Sequence, residues 1–142
     1  PLVTSQPPTT NYHRPTTTLK ESTMRDFTKY TVWQKGYAFS LAVYNATDHF
    51  PNDERYGLTS QMRRAAVSIP ANIAEGAGRP SEADFARFLH IASGSGNELE
   101  CLLMLARDLK LLSQPAYQSL ADELVQVKRM LVTLAKKLAA RS

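Results

Sequence analysis

At about 100° per residue around a helix, Leu58, Met62, Ala66, Ile69 and Ile73 fall on one face. Gln61, Arg64, Ser68, Asn72, Glu75 and Arg79 fall on a narrow stripe beside it. One apolar stripe is enough to seat a helix on a core. A second, wholly polar stripe of the same period marks a helix with two jobs. Pro70 lies inside the pattern, where a proline removes a backbone donor at a cost of about 3 kcal/mol. The unbroken double period from Leu58 to Arg79 predicts one kinked helix rather than two short ones. Gly76, Gly78 and Pro80 supply its stop.

Three further segments are helical. The first is expected from Thr31 to Asp48, with Trp33, Tyr37, Leu41 and Tyr44 as its core stripe and Val32, Phe39, Val43 and Ala46 as its flank. Phe50-Pro51 ends it. The third helix opens on Ser81 as N-cap, with Asp84 three residues on as a capping-box variant. Its apolar positions are Phe85, Phe88, Leu89, Ala92, Leu99, Leu102, Leu103, Ala106 and Leu109. Ser93-Gly94-Ser95-Gly96 interrupts the composition, and each glycine disfavours a helix by about 1 kcal/mol. Phe85, Ala92, Leu99 and Ala106 nevertheless keep a heptad across it, so one long helix is expected whose small residues allow a close approach. The fourth runs from Pro115 to Ala140 on Leu120, Leu124, Val127, Leu131, Leu134 and Leu138. No strand signal or internal repeat appears. Short turns between long helices predict an all-α, antiparallel up-down-up-down four-helix bundle over residues 27–142.

Residues 1–26 stand apart. Positions 1–23 hold seven Thr and four Pro, a composition expected to form an extended tail without a core role. Met24, directly before the patterned region, reads as the natural start. The chain of 142 residues is 43% hydrophobic and 21% charged, which suits one domain. No apolar run approaches the roughly 18 residues of a membrane span, and no charged leader with an apolar run precedes the helices. Cys101 is the single cysteine. The expectation is a cytoplasmic protein with no membrane role.

Charge refines this. The net charge is +4 and the pI about 9.4, compatible with a nucleic-acid partner. Residues 48–100 carry Arg55, Arg63, Arg64, Arg79 and Arg87 against eight acids, a net −3. Residues 116–142 carry Lys128, Arg129, Lys136, Lys137 and Arg141 against Asp122 and Glu123, a net +3. The cations of the fourth helix, Lys128, Arg129 and Lys136 with Lys137 adjoining, read either as a solvated last turn or as phosphate contacts. The polar stripe Gln61, Arg64, Ser68, Asn72 and Glu75 reads either as a solvated face or as a surface buried against another helix or subunit. Glu98 and Glu100 are then the candidate partners of Arg63 or Arg64.

Catalytic chemistry finds little support. The Glu-x-x-His motif of di-iron bundles is absent before His13, His49 and His90. No His-Glu-x-x-His, cysteine pair or Walker-type loop occurs. Cys101 among leucines reads as a small core or interface residue, and His90 as a helix-flank residue. No catalytic residue, metal or cofactor is expected.

Trp33-Gln34, Phe50-Pro51, Tyr56-Gly57-Leu58, Gln61 through Ala66, Ser68 through Gly76, Phe88-Leu89 and Ser95 through Glu100 follow in order. The chain here closely resembles the proteins encoded in intervening sequences of bacterial 23S ribosomal RNA genes, over residues 27–140. The resemblance implies an antiparallel four-helix bundle that assembles as a ring-like homopentamer without enzymatic activity. A related branch is the accessory protein of diversity-generating retroelements, a basic pentamer that binds its reverse transcriptase and nucleic acid. The leading expectation is thus a non-enzymatic homo-oligomer that engages RNA, DNA or a nucleic-acid protein through Lys128, Arg129, Lys136 and Lys137, with Arg63 and Arg64 as second choice. The rival is a structural or protein-interaction scaffold whose polar stripe serves assembly.

Overall fold

Four helices, α1 (Thr31–Thr47), α2 (Leu58–Ala77), α3 (Glu82–Asp108) and α4 (Gln114–Arg141), account for most of the described chain, with short 3₁₀ turns at Phe27–Lys29 and Asn52–Glu54. The structure is a computed structural model and describes residues 25–141; the Thr/Pro-rich stretch and Met24 lie outside the described residues. α1 packs on α2 and α4, and α3 packs on α2 and α4, with no diagonal pairing. Successive helices run antiparallel, as the short connections require. No strand occurs among the described residues. This is the expected four-helix bundle.

The core face of α1 is rotated from its expected place. Val32, Trp33, Phe39 and Val43 are buried, whereas Leu41 and Tyr44 are 39% and 43% exposed. The cause is Gly36. A Cβ on Gly36 would lie 3.3 Å from the Ile69 side chain and 3.8 Å from Pro70 Cδ. α1 therefore turns a face of small and polar residues, Gly36, Ser40 and Thr47 beside Val43, towards its neighbours.

α2 continues through Pro70, as its double period predicts. A proline leaves the carbonyl four residues earlier without its helical donor. That carbonyl belongs to Ala66, and the Ser40 hydroxyl of α1 lies 2.9 Å from it and 3.0 Å from the Gly36 carbonyl, its single proton shared between the two. The acceptor that Pro70 orphans is thus satisfied from the next helix.

α2 and α3 meet most closely at Gly76, where a Cβ would stand 2.7 Å from Phe88 Cβ and 2.9 Å from the Phe85 ring. Ser81 caps α3, its hydroxyl accepting from Asp84 N at 3.0 Å. The Asp84 carboxylate bonds Arg87 at 2.9 Å and lies 3.6 Å from Arg79. Those contacts draw it towards arginines, and the return bond of a capping box is not made. α3 runs unbroken across Ser93–Gly96. Gly96 does permit a close approach, with the Lys128 stem 3.2 Å from where a Cβ would sit, while Gly94 has nothing within 4 Å. Leu109, counted as core from sequence, is the C-cap of α3 and 52% exposed. In α4, Leu134 is partly buried and Ala135 takes its place in the core.

Arg25 and Asp26, placed with the tail by composition, are tied to the bundle. Asp26 accepts from Thr28 N at 3.0 Å and so caps the first 3₁₀ turn. Arg25 donates to the Arg79 carbonyl at 2.7 Å and lies over the Phe85 ring. A cation there complements the negative end of α2.

Candidate nucleic-acid interface

The four cations of α4 do not converge. Lys128 lays its stem over Gly96 and its ammonium bonds Glu100 of α3 at 2.5 Å. Arg129 and Lys137 line the opposite, α1 side, where a groove of about 360 Å³ opens between Tyr30 and Val32 of the α1 start and Met130 and Leu134 of α4. Lys136 is exposed. Further along this seam, burial pushes the Glu123 carboxyl above its ordinary range and Lys35 of α1 pulls it part of the way back. Lys128 is thus set apart and neutralised, while Arg129, Lys136 and Lys137 share the outer side of α4 within an arc of about 100°.

Arg63 and Arg64 lie in a different setting. The end of α1, the Phe50–Gly57 connection and the first turns of α2 frame an open cleft of about 440 Å³, lined by Tyr44, Arg55, Tyr56, Thr59, Ser60, Arg63, Arg64 and Val67. No carboxylate is among these lining residues. The connection is held by Glu54, whose carboxylate accepts from Leu58 N at 3.2 Å. It serves as the N-terminal cap of α2, since Gly57 at the cap position has no side chain. Arg63 is fixed on the cleft wall. Its guanidinium lies 4.5 Å from the centre of the Tyr44 ring and donates to the Thr47 hydroxyl at 2.9 Å, with Asp48 at 3.7 Å behind it. Arg55 lies over the Tyr56 ring at 5.6 Å, and Tyr56 is 89% exposed. Arg55 and Arg64 form no ion pair among the described residues.

Thr59 completes the cleft. It is only 7% exposed, and its hydroxyl is the one buried side-chain polar atom among the described residues without a hydrogen-bond partner. Sequence reasoning singled out Arg63 and Arg64 but missed Arg55, Tyr56 and Thr59, and assigned Tyr44 to the core. One signal was available: Arg55-Tyr56 sits in a turn, outside every apolar stripe, where no core demands an aromatic ring.

The polar stripe of α2 divides. Ser68 and Ser95 share a hydrogen bond of 2.7 Å across the α2–α3 seam, and the Asn72 amide donates to the Ser68 carbonyl at 2.7 Å and to its hydroxyl at 2.9 Å. That half is an internal helix–helix contact. Gln61, Arg64 and Glu75 are exposed, and Glu75 pairs with Arg79 at 3.1 Å. Within the chain neither Glu98 nor Glu100 reaches Arg63 or Arg64: Glu100 serves Lys128, and Arg63 faces α1. The reason is rotational, since Arg63 points to the α1 flank of α2 and the two acids stand on α3.

Among the described residues no group of His, Cys, Asp or Glu is placed to hold a metal ion, and no helix is long and apolar enough to cross a membrane. Cys101 is exposed and so stands outside the core of the chain.

The four-helix bundle has known counterparts. The model of the 23S rRNA-intervening sequence protein family matches residues 28–133, and the chain belongs to that family. A crystal structure of a protein of unknown function from the S23 ribosomal protein family of Bacteroides thetaiotaomicron superposes with a TM-score of 0.69 at 27% identity, covering 74% of this chain and 95% of that one. Among curated proteins none matches.

Proposed function

We propose that the protein is a non-enzymatic, cytoplasmic bundle that assembles with copies of itself and engages nucleic acid through the arginines of the α1–α2 end. One observation carries the second half of this reading: three arginines and two tyrosines converge on one acid-free cleft. Arginine supplies planar, permanently charged donors for phosphate, and tyrosine supplies flat faces for bases. The α4 cations, preferred from charge counting, are secondary because Lys128 is already paired and the α4 groove brings together only two cations, Arg129 and Lys137, and one tyrosine, Tyr30.

Self-assembly is supported by a separate surface. Ile91, Glu98, Leu105 and Leu109 fall within an arc of about 40° on α3, and the three apolar members are 43%, 47% and 52% exposed. An exposed apolar stripe bordered by polar residues marks an association surface. A ring of five protomers is the state implied by the family resemblance, with RNA, DNA or a reverse transcriptase as the partner.

RNA and DNA binding measured across a salt series, with mass by light scattering, tests both halves. Binding that weakens steeply with salt is expected, at a mass of five protomers. Arg55→Gln with Arg64→Gln should flatten the log–log salt slope by about one to two without changing the mass. Absence of binding at low salt with the assembly intact would leave a protein-interaction scaffold instead.

A further inference from the structure

We propose that the α1–α2 cleft is a site for one unpaired nucleotide of a single-stranded nucleic acid, its phosphate on the arginines and its base on a tyrosine ring. The proposal rests on the reading that the protein engages nucleic acid, and names the form of nucleic acid that this end takes.

Size comes first. A concavity of about 440 Å³ lies within the range of small-ligand pockets, about 300–1,000 Å³. It can hold one nucleotide, and it has no protruding helix or ribbon to enter a duplex groove. Charge selects the ligand: Arg55 and Arg64 have no ion pair among the described residues, and Arg63 is held in place by Thr47 and Tyr44. Arg55 and Arg64, with Arg63 partly offset by Asp48 at 3.7 Å, line a hollow whose wall carries no carboxylate and attract a phosphodiester.

The aromatic rings select the strand form. Bases in a duplex are stacked inside and offer a protein only their edges and phosphates. Unpaired bases can splay out and stack on a side-chain ring. Tyr56 is the most exposed large apolar side chain described, and only the Arg55 guanidinium is recorded against its ring. In folding terms the ring is wasted there; in stacking terms it is well placed.

Thr59 gives an independent sign. Buried hydroxyls are nearly always hydrogen-bonded, and each exception calls for an explanation. The exception here stands in the wall of the charged cleft. The Thr59 hydroxyl is itself shielded from solvent, so it meets a bound nucleotide only by rotation of its side chain into the cleft.

The test uses the whole chain and fluorescence anisotropy with a labelled oligouridine and a labelled blunt RNA duplex of equal length. The wild-type protein should bind the single strand more tightly than the duplex. Tyr56→Ala should weaken single-strand binding about ten-fold while leaving duplex binding unchanged, and Tyr56→Phe should retain it. Exposure of Tyr56 means that neither variant disturbs the core. If the wild type binds RNA and Tyr56→Ala binds the single strand equally well, the nucleotide site is overturned and nucleic-acid engagement stands. If the wild type binds neither probe at low salt, both fall together.

Discussion

The two ends of the α1–α2 pair are built from the same helices and behave oppositely. At one end Gly36 brings α1 against Ile69 and Pro70, and Ser40 donates to the carbonyl that Pro70 leaves bare. Polar groups there are few and matched. At the other end Tyr44 stands in solvent, Arg63 is stretched over its ring, and the Thr59 hydroxyl has no partner. Closure at the first end lets the second remain open, because the register of the two helices is already set where backbones touch. A polar residue in a helix seam therefore has no fixed meaning. Ser40 completes a bond that folding needs, and Thr59 leaves one that folding does not supply.

Substitutions should separate the two ends. The largest effect belongs to the closed one. Ser40→Ala removes the donor to the buried Ala66 carbonyl, and a buried acceptor left without a partner costs about 1–3 kcal/mol. Urea unfolding should show a lower midpoint at unchanged slope, while oligouridine affinity measured on the folded protein stays the same. An unaltered midpoint would mean that the proline carbonyl needs no help from α1. The open end should respond in the reverse sense. Thr59→Val keeps the shape and deletes an unpartnered hydroxyl, so stability should rise by about 1 kcal/mol and single-strand affinity should fall. A destabilised variant would show that the hydroxyl already has a partner within the fold, and the contrast between the ends would then be weaker.

The sequence carried the bundle well because four long segments each repeat their apolar positions at helical spacing, and Ser81 and the glycine-proline stop of α2 mark their ends. It misplaced the face of α1 for a definite reason. The side of α1 that meets α2 is made of Gly36, Ser40 and Thr47, which no hydrophobic pattern reveals, so Tyr44 and Leu41 were drawn into the apparent stripe. The site was half legible. Arg63 and Arg64 stood out as charges, but Arg55 and Tyr56 join them only because the connection after Phe50 folds back on α2, anchored by Glu54 on Leu58 N. The separation of Lys128 from the other α4 cations was equally hidden, since the Lys128–Glu100 pair depends on how α3 and α4 face each other across Gly96.

The smallest expected effect sharpens the contrast most, because it sets equal charge against different geometry. Arg129→Gln with Lys137→Gln removes two positive charges from the α1–α4 groove, as many as Arg55→Gln with Arg64→Gln removes from the cleft. If net charge alone governed binding, the two pairs would weaken oligouridine equally. In the proposed arrangement the α4 pair acts only at a distance, through a field that is largely screened beyond about 8 Å at physiological salt. Its loss should change single-strand affinity by about two-fold or less in that buffer, and somewhat more at low salt, where screening is weaker. The cleft pair removes direct phosphate contacts and should flatten the salt dependence itself. Equal losses and equal slopes from the two pairs would mean that the protein binds through a diffuse positive field, with no privileged end.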